Sequence, residues 1–368
     1  MYDPRVEKLA KLLVHYSLGI KEGDKLIIQS SALAEPLMEA AYKEAILAGA
    51  HVDTMLSMAN AAEILYKHAS DEQLKYISPL SEVASRDYDA SLRIMASSNT
   101  KALSGVDSQR ISLHRQANAE LQKRFMERAA SGELRWTLTA YPTNAAAQDA
   151  NMSLQEYSDF VYGAGLLDYD DPVAQWRRIE AQQNKICEFL DTKSELRYVA
   201  QDTDISMGIA GRKWINCAGH ENFPDGEVFT GPVEDSVNGH IRFSFPGIFS
   251  GKEIEDIRLE FKDGKVVKAR AAKGEELLHA LLETDAGAKY VGEVAIGTNF
   301  GIQKFTRNML FDEKIGGTVH LALGAAYPES GGKNQSGIHW DMLCDMRDGG
   351  EIYVDGEVIY RDGKFLDF

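Results

Sequence analysis

A chain of 368 residues exceeds what one ordinary core organises, and 44% hydrophobic residues supply enough apolar material for two. The net charge of −16, from 40 basic and 56 acidic residues, speaks against a nucleic-acid partner, which needs clustered Lys and Arg; it suits a solvated acidic surface or a bound cation. Three widely spaced cysteines without a CxxC pair form a reduced pattern, and neither an apolar leader nor an 18-residue apolar run is present, so the expectation is a cytoplasmic protein with no membrane partner.

From the start, Val6, Leu9, Leu12 and Leu13 recur at helical spacing with Gly19 just beyond, which predicts an amphipathic first helix. Lys25 to Gln29 reads as a short buried strand. A helix follows between Pro36 and Gly49, and a second strand at His51 to Leu56 completes a βαβ unit. Ala90 to Ala96 and Arg135 to Ala140 are further strands, separated by a helical stretch from Ser108 to Ala129, and a long helix runs from Pro172 to Leu190. This half is expected to be an α/β layer with a mostly parallel sheet.

Then the grammar changes. Only 7 of the 31 glycines lie in residues 1–200, and 24 lie in residues 201–368, among short β-branched runs. Asp263-Gly264, Asp355-Gly356 and Asp362-Gly363 sit between such runs as type I′ hairpin turns would, and one helix is expected at Glu275 to Glu283. The second half is therefore expected to be mainly antiparallel β, with residues 1–192 and 193–368 as the two domains.

Several chemistries are excluded by their missing motifs. No GxGxxG follows a strand and no GxxxxGK[ST] occurs; His220-Glu221 does not continue to a second histidine; no GxSxG elbow is present. Cys344 reads as a small buried thiol.

What remains is a constellation in the second half. The stretch Gly317 to Asp341 carries His320, His339, Asp341 and Tyr327 on a glycine-rich frame, and on a strand His339 and Asp341 would share one face. Glu227 lies between a turn and a short apolar strand, and Glu293 interrupts an apolar β-like run, where an unpartnered charge is costly. Each residue alone reads as ordinary: an edge-strand charge, a hydrogen-bonded core histidine, a packed tyrosine. Together, imidazole, carboxylate and phenol are the ligand types of a borderline divalent metal, and the set exceeds what one tetrahedral ion takes.

The segments GEVFTGP, VGEVAIGTNFGI, VHLALGAAYPESGG and HWD resemble, in order and spacing, the M29 aminopeptidases. The resemblance implies a homodimeric hydrolase that removes N-terminal residues from peptides with a free N-terminus, using two divalent ions such as zinc, cobalt, manganese or magnesium. It implies Glu227, Glu293, His320, His339 and Asp341 as metal ligands and Tyr327 as a ligand or a transition-state donor. Glu313 falls near a glutamate that precedes the first histidine in the family, with spacing shifted by a couple of residues, and is the second catalytic candidate. The Tyr327 to His339 linker is shorter than in the family, which bears on substrate size. The rival expectations are another two-metal hydrolase acting on a different amide, and a non-catalytic binding protein on the same fold.

Overall fold

The computed structural model describes residues 3–249 and 251–366. Its contacts gather into two compact units, residues 1–173 with 219–224, and residues 174–218 with 225–368. The 192/193 boundary expected from the sequence follows the change in glycine and strand pattern. By packing, the helix Pro172–Leu190 goes almost entirely with the second unit, because Ile186, Cys187 and Leu190 enter that unit's core. The segment 219–224 goes with the first, because Asn222–Phe223 pairs with a strand there.

The first unit holds a parallel sheet of β1 (Lys25–Ser31), β2 (His51–Ser57), β3 (Ala90–Met95) and β4 (Arg135–Ala140), in the order β2-β1-β3-β4, with Asn222–Phe223 beyond β4. The parallel α/β layer expected from the sequence is what forms. Pro36 lies in the first turn of the helix Glu35–Leu47, where its missing N–H costs nothing, and Gly49 leaves that helix at φ +86°. The expected helix from Ser108 to Ala129 is instead two, Ser108–Ala117 and Ala119–Ala130. Asn118 breaks them: its side-chain amide donates to His114 O at 2.9 Å, competing with the continuing ladder.

The second unit is antiparallel. Eight strands form one sheet, and the three Asp-Gly pairs close three of its hairpins with both residues at positive φ, 49° and 81°, 50° and 84°, and 50° and 80°. That is the type I′ geometry their sequence requires. A second sheet carries β5 (Ile215–Cys217), β6 (Glu227–Thr230), β7 (Val291–Gly297), β8 (Thr318–Gly324) and β9 (His339–Asp345), in the order β9-β8-β7-β6-β5. Strands that alternate in facing two environments must alternate in chemistry. On one face of this sheet Val228, Val294, Ile296, Val319, Leu321, Leu323, Trp340 and Met342 join a core shared with Leu196, Tyr198, Ile205, Ile241, Leu259 and Ile352 of the larger sheet. The opposite face carries the polar side chains.

Candidate metal centre

The ladder register decides which side chains meet. Glu293 pairs with Ala322, Ala295 with His320, Gly297 with Glu227, Ala322 with Asp341 and Gly324 with His339. Directly opposed residues share a face, so Glu227, Glu293, His320, His339 and Asp341 all project from the side opposite the core. Each has an alanine or a glycine opposite it on at least one side, while Leu343 also faces His320 and Cys217 also faces Glu227. The small residues let the five candidate ligands approach one another on that face.

The geometry inside the cluster is tight. His320 Nε2 lies 3.1 Å from Glu293 Oε1 and 3.3 Å from Glu227 Oε2, while His339 Nε2 lies 3.5 Å from both Glu293 Oε2 and Asp341 Oδ1. Two three-residue sets result, Glu227/Glu293/His320 and Glu293/His339/Asp341, each with ligand atoms within 4.8 Å of one another. Glu293 is common to both and turns one oxygen to each histidine. His339 Nδ1 faces Ala325 O at 2.8 Å, a group that can only accept, so the proton sits on Nδ1 and Nε2 keeps its lone pair when the ring is neutral.

The electrostatics are those of a cluster rich in acid. Burial works against protonating His320, yet the hydrogen bond to Glu293 and the charge of Glu227 outweigh it and push the ring up to about 9. His339 is pushed up to about 10, burial again opposed by Asp341 and Glu293. Asp341, despite burial, is drawn down to about 2 by His339. Burial raises Glu227 against the pull of Lys314 and His320. Left to themselves, these acids recruit protons onto the imidazoles. Even so, Glu227 Oε2 and Asp341 Oδ1 are buried without a hydrogen bond. Buried acceptors left in that state are costly, and divalent cations satisfy them.

Tyr327 stands over this face. Its ring lies 5.0 Å from that of His339 and 5.4 Å from that of Phe229, and 38% of the residue is exposed. Burial of the phenol and the nearby carboxylates of Glu293 and Asp341 drive its pKa upward, so the hydroxyl keeps its proton and can donate.

Glu313 reaches the cluster through a neighbour that sequence reasoning missed. Lys314, 1% exposed, carries its ammonium 2.6 Å from Glu313 Oε1 and 3.4 Å from Asp225 Oδ1, and it also bonds Glu227 Oε1. Burial pushes Glu313 up to about 7 against the attraction of Lys314. Asp225, 1% exposed, carries no signal in the sequence either, because Asp225-Gly226 reads as an ordinary turn. Two uncharged residues hold the frame. Gln183, on the helix Pro172–Leu190, donates to Cys217 O and Glu227 O at 3.0 Å each and accepts from Thr298. Asn299 donates to Asp225 O at 2.7 Å and, through its backbone N–H, to Lys314 O at 3.0 Å. For Gln183 the sequence signal is a polar residue in an otherwise apolar helix face; Asn299, past the end of β7, has none.

Comparison with known proteins gives the family. A family described as thermophilic metalloprotease (M29) matches residues 2–365. The chain belongs to the M29 metalloprotease family. Aminopeptidase T of Thermus thermophilus is 30% identical, over 98% of this chain and 96% of that protein, and aminopeptidase 2 of Geobacillus stearothermophilus is 29% identical, over 99% and 96%. The solved structure of wild-type AmpT from Thermus thermophilus superposes with a TM-score of 0.86 at 26% identity, covering 99% of each chain. A 2,5-dihydroxypyridine dioxygenase from Pseudomonas putida KT2440 has a TM-score of 0.61 at 14% identity over 100% of this chain and 99% of that one, a likeness of fold alone. The M29 resemblance read from GEVFTGP, VGEVAIGTNFGI, VHLALGAAYPESGG and HWD is borne out, and with it the parallel-then-antiparallel architecture. No described helix is long and apolar enough to cross a membrane.

Proposed function

We propose that this M29 protein is an aminopeptidase that removes N-terminal residues from peptides, with two divalent ions held by Glu227, Glu293 and His320 and by Glu293, His339 and Asp341. The observation that carries the reading is the sharing of Glu293 between two ligand sets on one sheet face. A charge inventory supports the number of ions. Asp225, Glu227 and Glu313 surround the Lys314 ammonium, and Glu293 and Asp341 lie against the histidines; with Glu313 raised to about 7, the cluster wants three to four positive charges when the histidines are neutral. Two divalent ions supply four; one leaves a buried deficit that the interior tolerates poorly. The donor set, nitrogen with oxygen, suits zinc, cobalt, manganese or magnesium.

Such ions, when bound, supply an activated water at neutral pH and polarise the scissile carbonyl. The protein's own groups do the rest. Tyr327 donates its hydroxyl to the oxygen that gains charge as the carbonyl is attacked, where a positioned donor contributes most. Glu313, held near neutrality by burial and tethered through Oε1 to Lys314, is suited to take a proton and return it to the departing amine. The Phe229 and His339 rings fix the tyrosine between them. The reading extends to a cytoplasmic homodimer acting on substrates with a free amino terminus.

The test is chromophore release from a leucyl anilide and its N-acetylated counterpart, using chelator-stripped protein reloaded with each of the four metals, alongside metal analysis of the loaded chain. Two ions per chain and cleavage of the free-amine substrate alone are expected. Cleavage of the blocked substrate would move the assignment to another amide hydrolase on this fold, and metal binding without turnover would remove the catalytic reading.

A further inference from the structure

A third group of ligand-type side chains adjoins the centre. Cys217, Asp225 and Glu227 bring a thiol sulfur and two carboxylate oxygens within 4.8 Å of one another, a donor set that suits a borderline divalent cation. Cys217 pairs directly with Glu227 across β5 and β6, so the thiol belongs to the same face as the five candidate ligands. The cation that stands there is the Lys314 ammonium, bonded to Glu227 Oε1, 3.4 Å from Asp225 Oδ1 and 2.6 Å from Glu313 Oε1.

Its placement is built rather than incidental. Gly226 N donates to Cys217 O at 3.1 Å, Thr298 N donates to Gly226 O at 2.8 Å, and Asn299 binds both the Asp225 carbonyl and the Lys314 carbonyl. A Cβ on Gly226, whose φ is +122°, would stand 2.7 Å from Asn299 Cβ, so this close approach requires glycine. One asparagine thus fixes the distance between the segment carrying Asp225 and Glu227 and the segment carrying Lys314. The lysine is 1% exposed, and solvent does not compete for its partners.

We propose that Lys314 is a resident cation: its ammonium fills the position that Cys217, Asp225 and Glu227 would otherwise offer to a third metal ion, and it positions Glu227 by engaging Oε1 while Oε2 faces His320. Lys314 is a positioning residue in this role, acting through Glu227. The ammonium donates hydrogen bonds to Oε1 and leaves Oε2 directed at the centre, and it does so with one positive charge where a divalent ion would bring two. The proposal rests on the two-ion reading for what Glu227 serves; the occupancy of the third position stands on its own contacts.

Cobalt(II) tests it, because a thiolate ligand gives cobalt an intense near-ultraviolet charge-transfer band that nitrogen and oxygen ligands do not. The unaltered chain in excess cobalt is expected to bind two ions and show no such band. Lys314→Met is expected to bind one additional ion and to show the band, and Lys314→Met combined with Cys217→Ala to lose it. A thiolate band in the unaltered chain would overturn the proposal, and that measurement holds even where the lysine variant does not fold. A Lys314→Met protein that stays at two ions without the band would also overturn it. One ion in the unaltered chain, with the band still absent there and gained in Lys314→Met, would defeat the two-ion reading while supporting the resident lysine.

Discussion

Replacing Glu293 by glutamine should remove the stabilisation given by both ions, whereas replacing Glu227 by glutamine should remove that of one. The difference follows from topology, since Glu293 gives Oε1 to the set with His320 and Oε2 to the set with His339, while Glu227 serves only the first. A ligand that binds only the folded state at about 100 times its Kd stabilises by about 2.7 kcal/mol, so two ions give about 5.4 kcal/mol. The unit that carries them spans residues 174–218 and 225–368, roughly 190 residues, a size at which 1 kcal/mol moves Tm by about 2–4 °C. The metal-induced rise in Tm should then be about 11–22 °C in the unaltered protein, about half that in Glu227→Gln, and close to nothing in Glu293→Gln. Each variant is compared with its own chelated form, so the structural cost of the substitution cancels. Scanning calorimetry or a dye-based melt, with and without zinc, reads the quantity directly. If Glu293→Gln keeps half or more of the metal-induced shift, Glu293 is not shared and the two sets are not one centre.

Tyr327→Phe should keep both ions, since the phenol is held by ring contacts with Phe229 and His339, and should lower kcat by about 10²–10³-fold as a lost oxyanion donor does; turnover at the unaltered rate would refute that role. Gly226→Ala should destabilise the second unit by about 1–3 kcal/mol or more, from a φ of +122° and a Cβ driven against Asn299; urea unfolding checks it, and an unchanged midpoint would contradict the strain argument. Asp312 is fully buried, with Thr306 N–H and Oγ1–H donating to Oδ1 and no partner on Oδ2, and burial pushes its acid up to about 7. A raised acid holds its proton in the folded state while the unfolded chain has lost it, so its contribution is present below about pH 4 and is lost as pH rises toward 7. Relative to Asp312→Asn, the unaltered protein should therefore lose stability between pH 5 and pH 8, on the order of 2–4 kcal/mol, and parallel pH profiles for the two proteins would refute the assignment.

The parts of this fold that the sequence announces are those with local causes. The Asp-Gly turns require positive φ at two successive residues, and all three form as their residues demand. Arg135 to Ala140 and Pro172 to Leu190 are bounded by their own periodicity and punctuation, and they form at those limits. Period two on a strand likewise puts His339 and Asp341 on one face, and both lie on β9 with that parity. Asp225 and Lys314 had no such signal. In Phe311-Asp312-Glu313-Lys314, three consecutive charges look like a solvated surface, yet Asp312 and Lys314 are buried in two separate polar environments, one against Thr306 and the other against Glu227. Burial of a charge is decided by what the rest of the chain brings to it. Here the deciding partner is Asn299, 15 positions from Lys314 and 74 from Asp225, which holds both backbones. The ligands of such a centre are therefore easier to read than its charge balance: a ligand is a residue type at a spacing, whereas the balance depends on every buried ion within reach. On the two-ion reading, Asp225, Glu313 and Lys314 enter that balance, and their part in it becomes visible only when the fold places them beside the residues that motif and spacing single out.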